Sequence, residues 1–213
     1  RVTGVQTCAL PILDNTRFLQ EIVNLYRSFT YMSHPRYESV DPARLVREVA
    51  ELFQLSISSN VELEIDAEAP CEPFSVAPRL LKLALFNLLS NASDAIKRAT
   101  TAEQPHGRIQ IRLRQTDEGH EICIVDSGLG IRGPEGEMLE GEEIARIFEL
   151  GYSTKESGSG EGLGLNWVQQ IVRDFHHGEI EAENRPQGGA AFRIRLPFAP
   201  QPAPPQPAEE NAP

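Results

Sequence analysis

The residues of this 213-residue chain whose types and spacing suit chemistry gather between positions 87 and 165. One group is Asp126-Ser127-Gly128-Leu129-Gly130-Ile131, which follows an alternating apolar run at 120–125 and so sits where a strand should end. Another is Gly158-Ser159-Gly160-Glu161-Gly162-Leu163-Gly164-Leu165. It leads into Trp167, Val168, Ile171, Val172 and Phe175, which are spaced for a helix. Between them lies Phe148-Glu149-Leu150-Gly151-Tyr152-Ser153-Thr154-Lys155. Glycines between a strand and a helix admit positive φ and close approach of backbone to a ligand. A helix N-terminus offers unpaired N–H groups and a positive dipole end to a phosphate. The combination suits a nucleoside triphosphate, whereas either half alone would describe two ordinary turns.

A row of amides lies upstream, in Asn87-Leu88-Leu89-Ser90-Asn91-Ala92-Ser93-Asp94-Ala95. Leu81, Leu85, Leu88, Leu89 and Ala92 repeat at helical spacing. Asn87, Asn91 and Asp94 follow at i, i+4 and i+7, so they share one edge of that helix. Amide oxygens are hard-cation ligands, and a Mg²⁺ carried by a triphosphate uses few protein oxygens. Two asparagines by themselves would describe a solvated helix edge.

The four motifs in this order resemble the N, G1, F and G2 boxes of the ATP-binding domain of sensor histidine kinases. That domain belongs to the GHKL superfamily, with the ATPases of DNA gyrase, a heat-shock chaperone and mismatch repair. The resemblance runs from about residue 41 to residue 197. It implies an α/β (α+β) fold of Bergerat type, a two-layer sandwich of a mixed sheet and helices with the nucleotide between the helices. It also implies ATP and Mg²⁺ as cofactors.

Roles follow from the resemblance, motif by motif. Asp126 is expected to accept a hydrogen bond from the adenine amine, with Gly128 and Gly130 keeping side chains out of the way of the base and Ile131 beside them. Asn91 would hold the metal, with Asn87 and Asp94 on the same edge. Thr154 and Lys155 would meet the γ-phosphate. Gly160, Gly162, Leu163, Gly164 and Leu165 would bring backbone N–H groups to the phosphates. Residues 131–160 would form a flexible lid. Lys155 and Asn87 are the expected catalytic residues. The superfamily's hydrolases carry a glutamate where Asn87 stands, and an amide cannot act as a general base. Transfer to a protein histidine is therefore expected over hydrolysis. The acceptor would lie on an upstream helix, and the phosphoryl group would pass to an aspartate of a response-regulator receiver domain. A non-kinase ATP-binding regulatory module, a GHKL-type ATPase and a serine kinase are the alternatives. Three departures stand out: an acidic stretch at 135–143, Ala190 after Gly189 where threonine is frequent, and Asp94 where many relatives carry lysine or another residue.

These residues need elements to position them. Asp41-Pro42 reads as an N-cap with proline at N1, opening a helix buried along Leu45, Val49, Leu52 and Phe53. Residues 61–65 alternate as a strand. Pro78 opens the asparagine-bearing helix, which should run to about Ala99. Ile109, Ile111 and Leu113, then Ile122 and Ile124, then Ile180 and Ala182, then Phe192, Ile194 and Leu196 alternate with polar residues. Such alternation gives a sheet with one buried and one wet face. The wet face would set Arg112, Arg114, Arg193 and Arg195 near Glu179, Glu181 and Glu183.

The remaining residues divide the chain. Residues 1–12 read as an in-frame translation of a sequencing-library adapter and are set aside. Residues 13–38 would hold the second helix of a dimerisation hairpin and a linker. Phe18, Ile22, Leu25 and Phe29 form the apolar stripe of that helix. A homodimer through the hairpin is expected. His34 precedes Pro35 and reads as a linker histidine. Residues 39–198 would form the ATP-binding domain, and the proline-rich residues 199–213 a disordered tail. A net charge of −11 without a basic patch argues against nucleic acid. No apolar run is long enough to span a membrane. A cytoplasmic domain, attached to a membrane only through an upstream region, is the corresponding expectation. Cys71 and Cys123 have no metal-ligand spacing.

Overall fold

A computed structural model describes residues 35–67, 70–101, 106–152 and 163–198. The helix expected over residues 13–32, His34 and the tail lie outside the described residues. Five strands form the main sheet: β2 (Val61–Ala67), β4 (Gly107–Gln115), β5 (Gly119–Asp126), β6 (Glu179–Asn184) and β7 (Ala190–Pro197). Their order is β2-β4-β5-β7-β6. Only the β2–β4 pair is parallel, so the sheet is mixed. Two short strands, β1 (Glu38–Val40) and β3 (Phe74–Val76), pair antiparallel beside it. They are too short for alternation to reveal them in the sequence.

Three helices cover one face. Helix α1 (Pro42–Gln54) opens as expected: the Asp41 carboxylate accepts from the Ala43 N–H at 2.8 Å and the Arg44 N–H at 3.3 Å. Its buried face is Leu45, Val46, Val49, Ala50 and Phe53. Leu52 was expected on that face but is 57% exposed: it falls about 20° outside Leu45, just beyond the edge of the stripe centred on Val49 and Phe53. Helix α2 (Pro78–Ala99) has the expected bounds and buries Leu81, Leu85, Leu88, Leu89, Ala92 and Ile96. Helix α3 (Gly164–Gln170) continues into a wide turn with i→i+5 bonds over Ile171–Phe175.

The sheet's inner face supplies Ile109, Ile111, Leu113, Ile122, Ile124, Ile180, Phe192, Ile194 and Leu196 to the core. Its open face carries an ion-pair ladder. Arg193 lies 3.6 Å from Glu121, 3.7 Å from Glu181 and 3.3 Å from Glu183. Arg195 reaches Glu121, Glu179 and Glu181 at 3.1–3.6 Å. Arg114 pairs with Asp66 instead of the β6 glutamates, since β4 and β6 stand at opposite sides of the central strands. Exposed pairs of this kind contribute little individually. They do mark the open face as one whose charges find partners within the sheet.

Candidate functional site

Two sides of the site meet on α2. A Cβ added at Gly128 would lie 2.7 Å from the Ala95 carbonyl carbon, so the turn after β5 runs against the helix backbone. A Cβ at Gly164 would lie 3.8 Å from Asn87 Oδ1, so the first residue of α3 faces the amide row. One helix edge thus touches both glycine motifs, which stand 36 residues apart in the chain (164 − 128). Asn87, Asn91 and Asp94 are all half-buried along it. Asp94 lies 3.7 Å from the Lys97 ammonium one turn on.

Asp126 closes β5 and is 2% exposed. Its Oδ1 accepts from the Gly128 N–H at 2.7 Å and from the Ala190 N–H at 3.3 Å. Burial raises its pKa above the usual carboxylate range, with the two N–H donors and the nearby Arg185 guanidinium opposing that shift. The carboxylate is therefore a fixed acceptor in a dry place. An exocyclic amine needs such an acceptor, and in this respect the site fits an adenine base. The position where threonine is frequent, Ala190, contributes through its backbone rather than a side chain.

The glycines of this turn answer to packing within the protein. Gly128 leaves room for α2, as above. Gly130 has φ +77°, and a Cβ there would lie 2.6 Å from Asn184 Oδ1. Both let the turn seat itself between α2 and β6.

Ile131 begins the segment expected to be a lid, and much of that segment is anchored. Ile131, Leu139, Ile144, Ile147 and Phe148 are buried in the core. Residues 131–139 form a loop closed at its neck, where the Leu139 N–H donates to the Ile131 carbonyl at 3.1 Å. A 3₁₀ segment follows over Gly141–Phe148. The Asn166 amide of α3 donates to the Phe148 carbonyl at 2.9 Å. Residues 131–148, the first part of the segment expected to form a lid, are thus packed into the fold. Thr154, Lys155, Gly160 and Gly162 lie outside the described residues. Leu163, Gly164 and Leu165 stand at the start of α3, facing the amide row through Gly164.

Sequence reasoning passed over Asn184, Arg185 and Asn166. The Arg185 guanidinium donates to the Asp126 carbonyl at 3.1 Å. The available signal was an Asn-Arg-Pro at the end of an alternating strand, just before Gly188-Gly189. Among the described residues no cluster of His, Cys, Asp and Glu could hold a metal ion. Asn91 is not of those four types; its amide oxygen would be a single hard-cation ligand beside phosphate oxygens.

The sequence matches the histidine kinase-, DNA gyrase B- and HSP90-like ATPases over residues 76–200. The chain belongs to this family. Among similar proteins, nitrogen regulation protein NtrY of Azorhizobium caulinodans is 30% identical over 89% of this chain and 23% of its own length. Sensor histidine kinase ZraS of Klebsiella oxytoca is 32% identical over 85% of this chain and 35% of its own length. The chain thus spans 23–35% of these two curated relatives. The nucleotide-free catalytic domain of histidine kinase ThkA superposes with a TM-score of 0.63 at 26% identity, over 78% of this chain and 99% of that one. ThkA in complex with response regulator TrrA gives a TM-score of 0.70 at 21% identity, over 94% of this chain and 53% of that one, a likeness of fold. The sheet order and helix cover described above are the α/β two-layer fold of such catalytic domains.

Proposed function

We propose that this chain is the ATP-binding catalytic part of a two-component sensor histidine kinase. It takes Mg-ATP and transfers the γ-phosphoryl group to a histidine, from which a response-regulator aspartate receives it. The observation that carries this reading is the convergence on α2. Gly128, whose N–H donates to the buried acceptor Asp126, packs on Ala95 at one end of the helix edge that carries the amide row, and Gly164 faces Asn87 at the other.

Asp126 would hold the adenine amine, and Asn91 with Asn87 would face the Mg²⁺-bound phosphates. Backbone N–H groups at Gly164 and Leu165 stand at a helix start, where phosphate is favoured. Thr154, Lys155, Gly160 and Gly162 complete the set in this proposal. ATP supplies the phosphoryl group and Mg²⁺ its charge neutralisation. Phosphoryl transfer needs positioning and charge stabilisation far more than covalent protein chemistry. Asn87 lacks the basicity to activate water, which favours transfer over hydrolysis. A homodimer and a receiver-domain partner belong to the same proposal; the likeness to a kinase solved in complex with a response regulator supports the second. Among the described residues no helix is long and apolar enough to cross a membrane.

The test supplies γ-labelled ATP, Mg²⁺ and, in trans, a helical-hairpin protein carrying an acceptor histidine. Label should appear on that protein as an acid-labile, base-stable phosphoryl group, and free phosphate should form more slowly. Rapid phosphate release without labelled protein would point instead to an ATPase.

A further inference from the structure

Asn184, the last residue of β6, uses its side-chain amide on a single target. Its Oδ1 accepts from the Ile131 N–H at 2.6 Å, and its Nδ2 donates to the Ile131 carbonyl at 3.1 Å and the Leu139 carbonyl at 2.8 Å. These are the two residues at the neck of loop 131–139, already joined by the Leu139 N–H. The amide therefore sits across both strands of the neck, and both of its nitrogen donors have partners. The next residue, Arg185, holds the other end of the G1 turn through the Asp126 carbonyl. Two consecutive residues of β6 and its exit thus pin the first and last residues of Asp126-Ser127-Gly128-Leu129-Gly130-Ile131. Gly130 lies inside this bracket, and a Cβ there would intrude on Asn184 Oδ1.

We propose that Asn184 is a positioning residue for nucleotide binding, its amide fixing the end of the G1 turn and the neck of the following loop to β6. The inference rests on the adenine reading of Asp126. A turn pinned at only one end can pivot about Asp126, and the wall beyond Gly128 is then no longer fixed where a base would lie. The amide chemistry is specific. A carboxylate in its place keeps the acceptor for the Ile131 N–H but turns an oxygen toward two carbonyl oxygens. Asn184→Asp has nearly the same shape, so a side chain that only fills space would tolerate it. A side chain that clamps would not, and N184D should do worse than Asn184→Ala.

The experiment uses the full chain and a fluorescent ATP analogue with Mg²⁺, and it follows amide exchange without nucleotide. N184D should bind the analogue at least about tenfold more weakly than the parent, as expected for loss of half-buried amide bonds that hold the turn. Faster exchange should be confined to residues 131–139, at temperatures where the variant is fully folded. Parent-like affinity together with parent-like exchange overturns the clamp. Faster exchange with parent-like affinity reduces Asn184 to loop stability and overturns the positioning role. Should the parent itself bind no nucleotide, the adenine reading fails, and the exchange arm alone decides whether the clamp exists.

Discussion

Ala190, the first residue of β7, donates its N–H to Oδ1 of Asp126, the last residue of β5, at 3.3 Å. The bond ties the acceptor of the site to the neighbouring antiparallel strand. With the Gly128 N–H on the same oxygen, the carboxylate is oriented before any ligand arrives. Preorganised polar groups of this kind spare reorganisation on binding.

The same burial makes Asp126 a cost to the fold. Its pKa in the folded state is raised by burial. A raised pKa means that the folded state is favoured while the group is protonated, below the unfolded value of about 3.8. That advantage disappears as pH rises through the folded-state value. Asp126→Asn removes the titration. Its melting temperature at pH 7 should exceed the parent's, and the gap should narrow toward pH 4. Thermal denaturation across that range checks this, and a lower melting temperature at pH 7 would count against it.

Two buried histidines act in the opposite pH window. Burial lowers the pKa of both His120 and His176 below the ordinary 6.5. Groups with depressed folded-state pKa values keep stability above the unfolded value and lose it as pH falls below about 6.5. His176 accepts from the Ala77 N–H at Nε2 and donates from Nδ1 to the Ile171 carbonyl, so a second ring proton would face another donor. His120 lies between Phe74 and Phe198, and neither ring nitrogen has a hydrogen-bond partner among the described residues. His120→Leu should raise the melting temperature and flatten the loss of stability between pH 7 and pH 5. An unchanged pH slope would show that His120 does not contribute.

Gly189 is required by geometry. Its φ is +79°, and a Cβ there would collide with the Asp126 carbonyl. Gly189→Ala should destabilise the chain by more than about 2 kcal/mol, combining left-handed strain with a forced shift of the β5–β7 junction. Nucleotide affinity should fall with it, because the shift moves Asp126. Chemical denaturation and a nucleotide titration read the two effects separately.

Asp41 offers a control remote from the nucleotide site. Loss of its cap should cost α1 about 1 kcal/mol in Asp41→Ala. Nucleotide affinity should stay at the parent value. A loss of affinity would mean that α1 is coupled to the site.

Much of this architecture was legible in sequence because it rests on local rules. Pro42 and Pro78 mark helix starts, and alternation from Ile109 to Leu113 and from Phe192 to Leu196 marks strands. Asp126 stood out because its neighbours combine a strand end with glycines. The rest depends on contacts distant in sequence. That Asn184 reaches back 53 residues to Ile131 follows from β6 ending beside the G1 turn, and no local pattern encodes it. The packing of Gly130 against that amide was hidden for the same reason. The anchoring of residues 131–148 was hidden because the acidic stretch at 135–143 surrounds the buried Leu139 and precedes a segment too short, at 144–148, to show a helical period.

In the proposed function Asp126 reads an adenine base at an ATP site. Calorimetric titration of the full chain and of D126N with a non-hydrolysable ATP analogue and Mg²⁺ tests it most directly. The parent should bind with one-to-one stoichiometry. D126N should remain folded and bind at least about a hundredfold more weakly, since an amide presents a donor where an acceptor is needed in a buried site. Equal affinity in the two proteins, or no binding by the parent, would contradict the account.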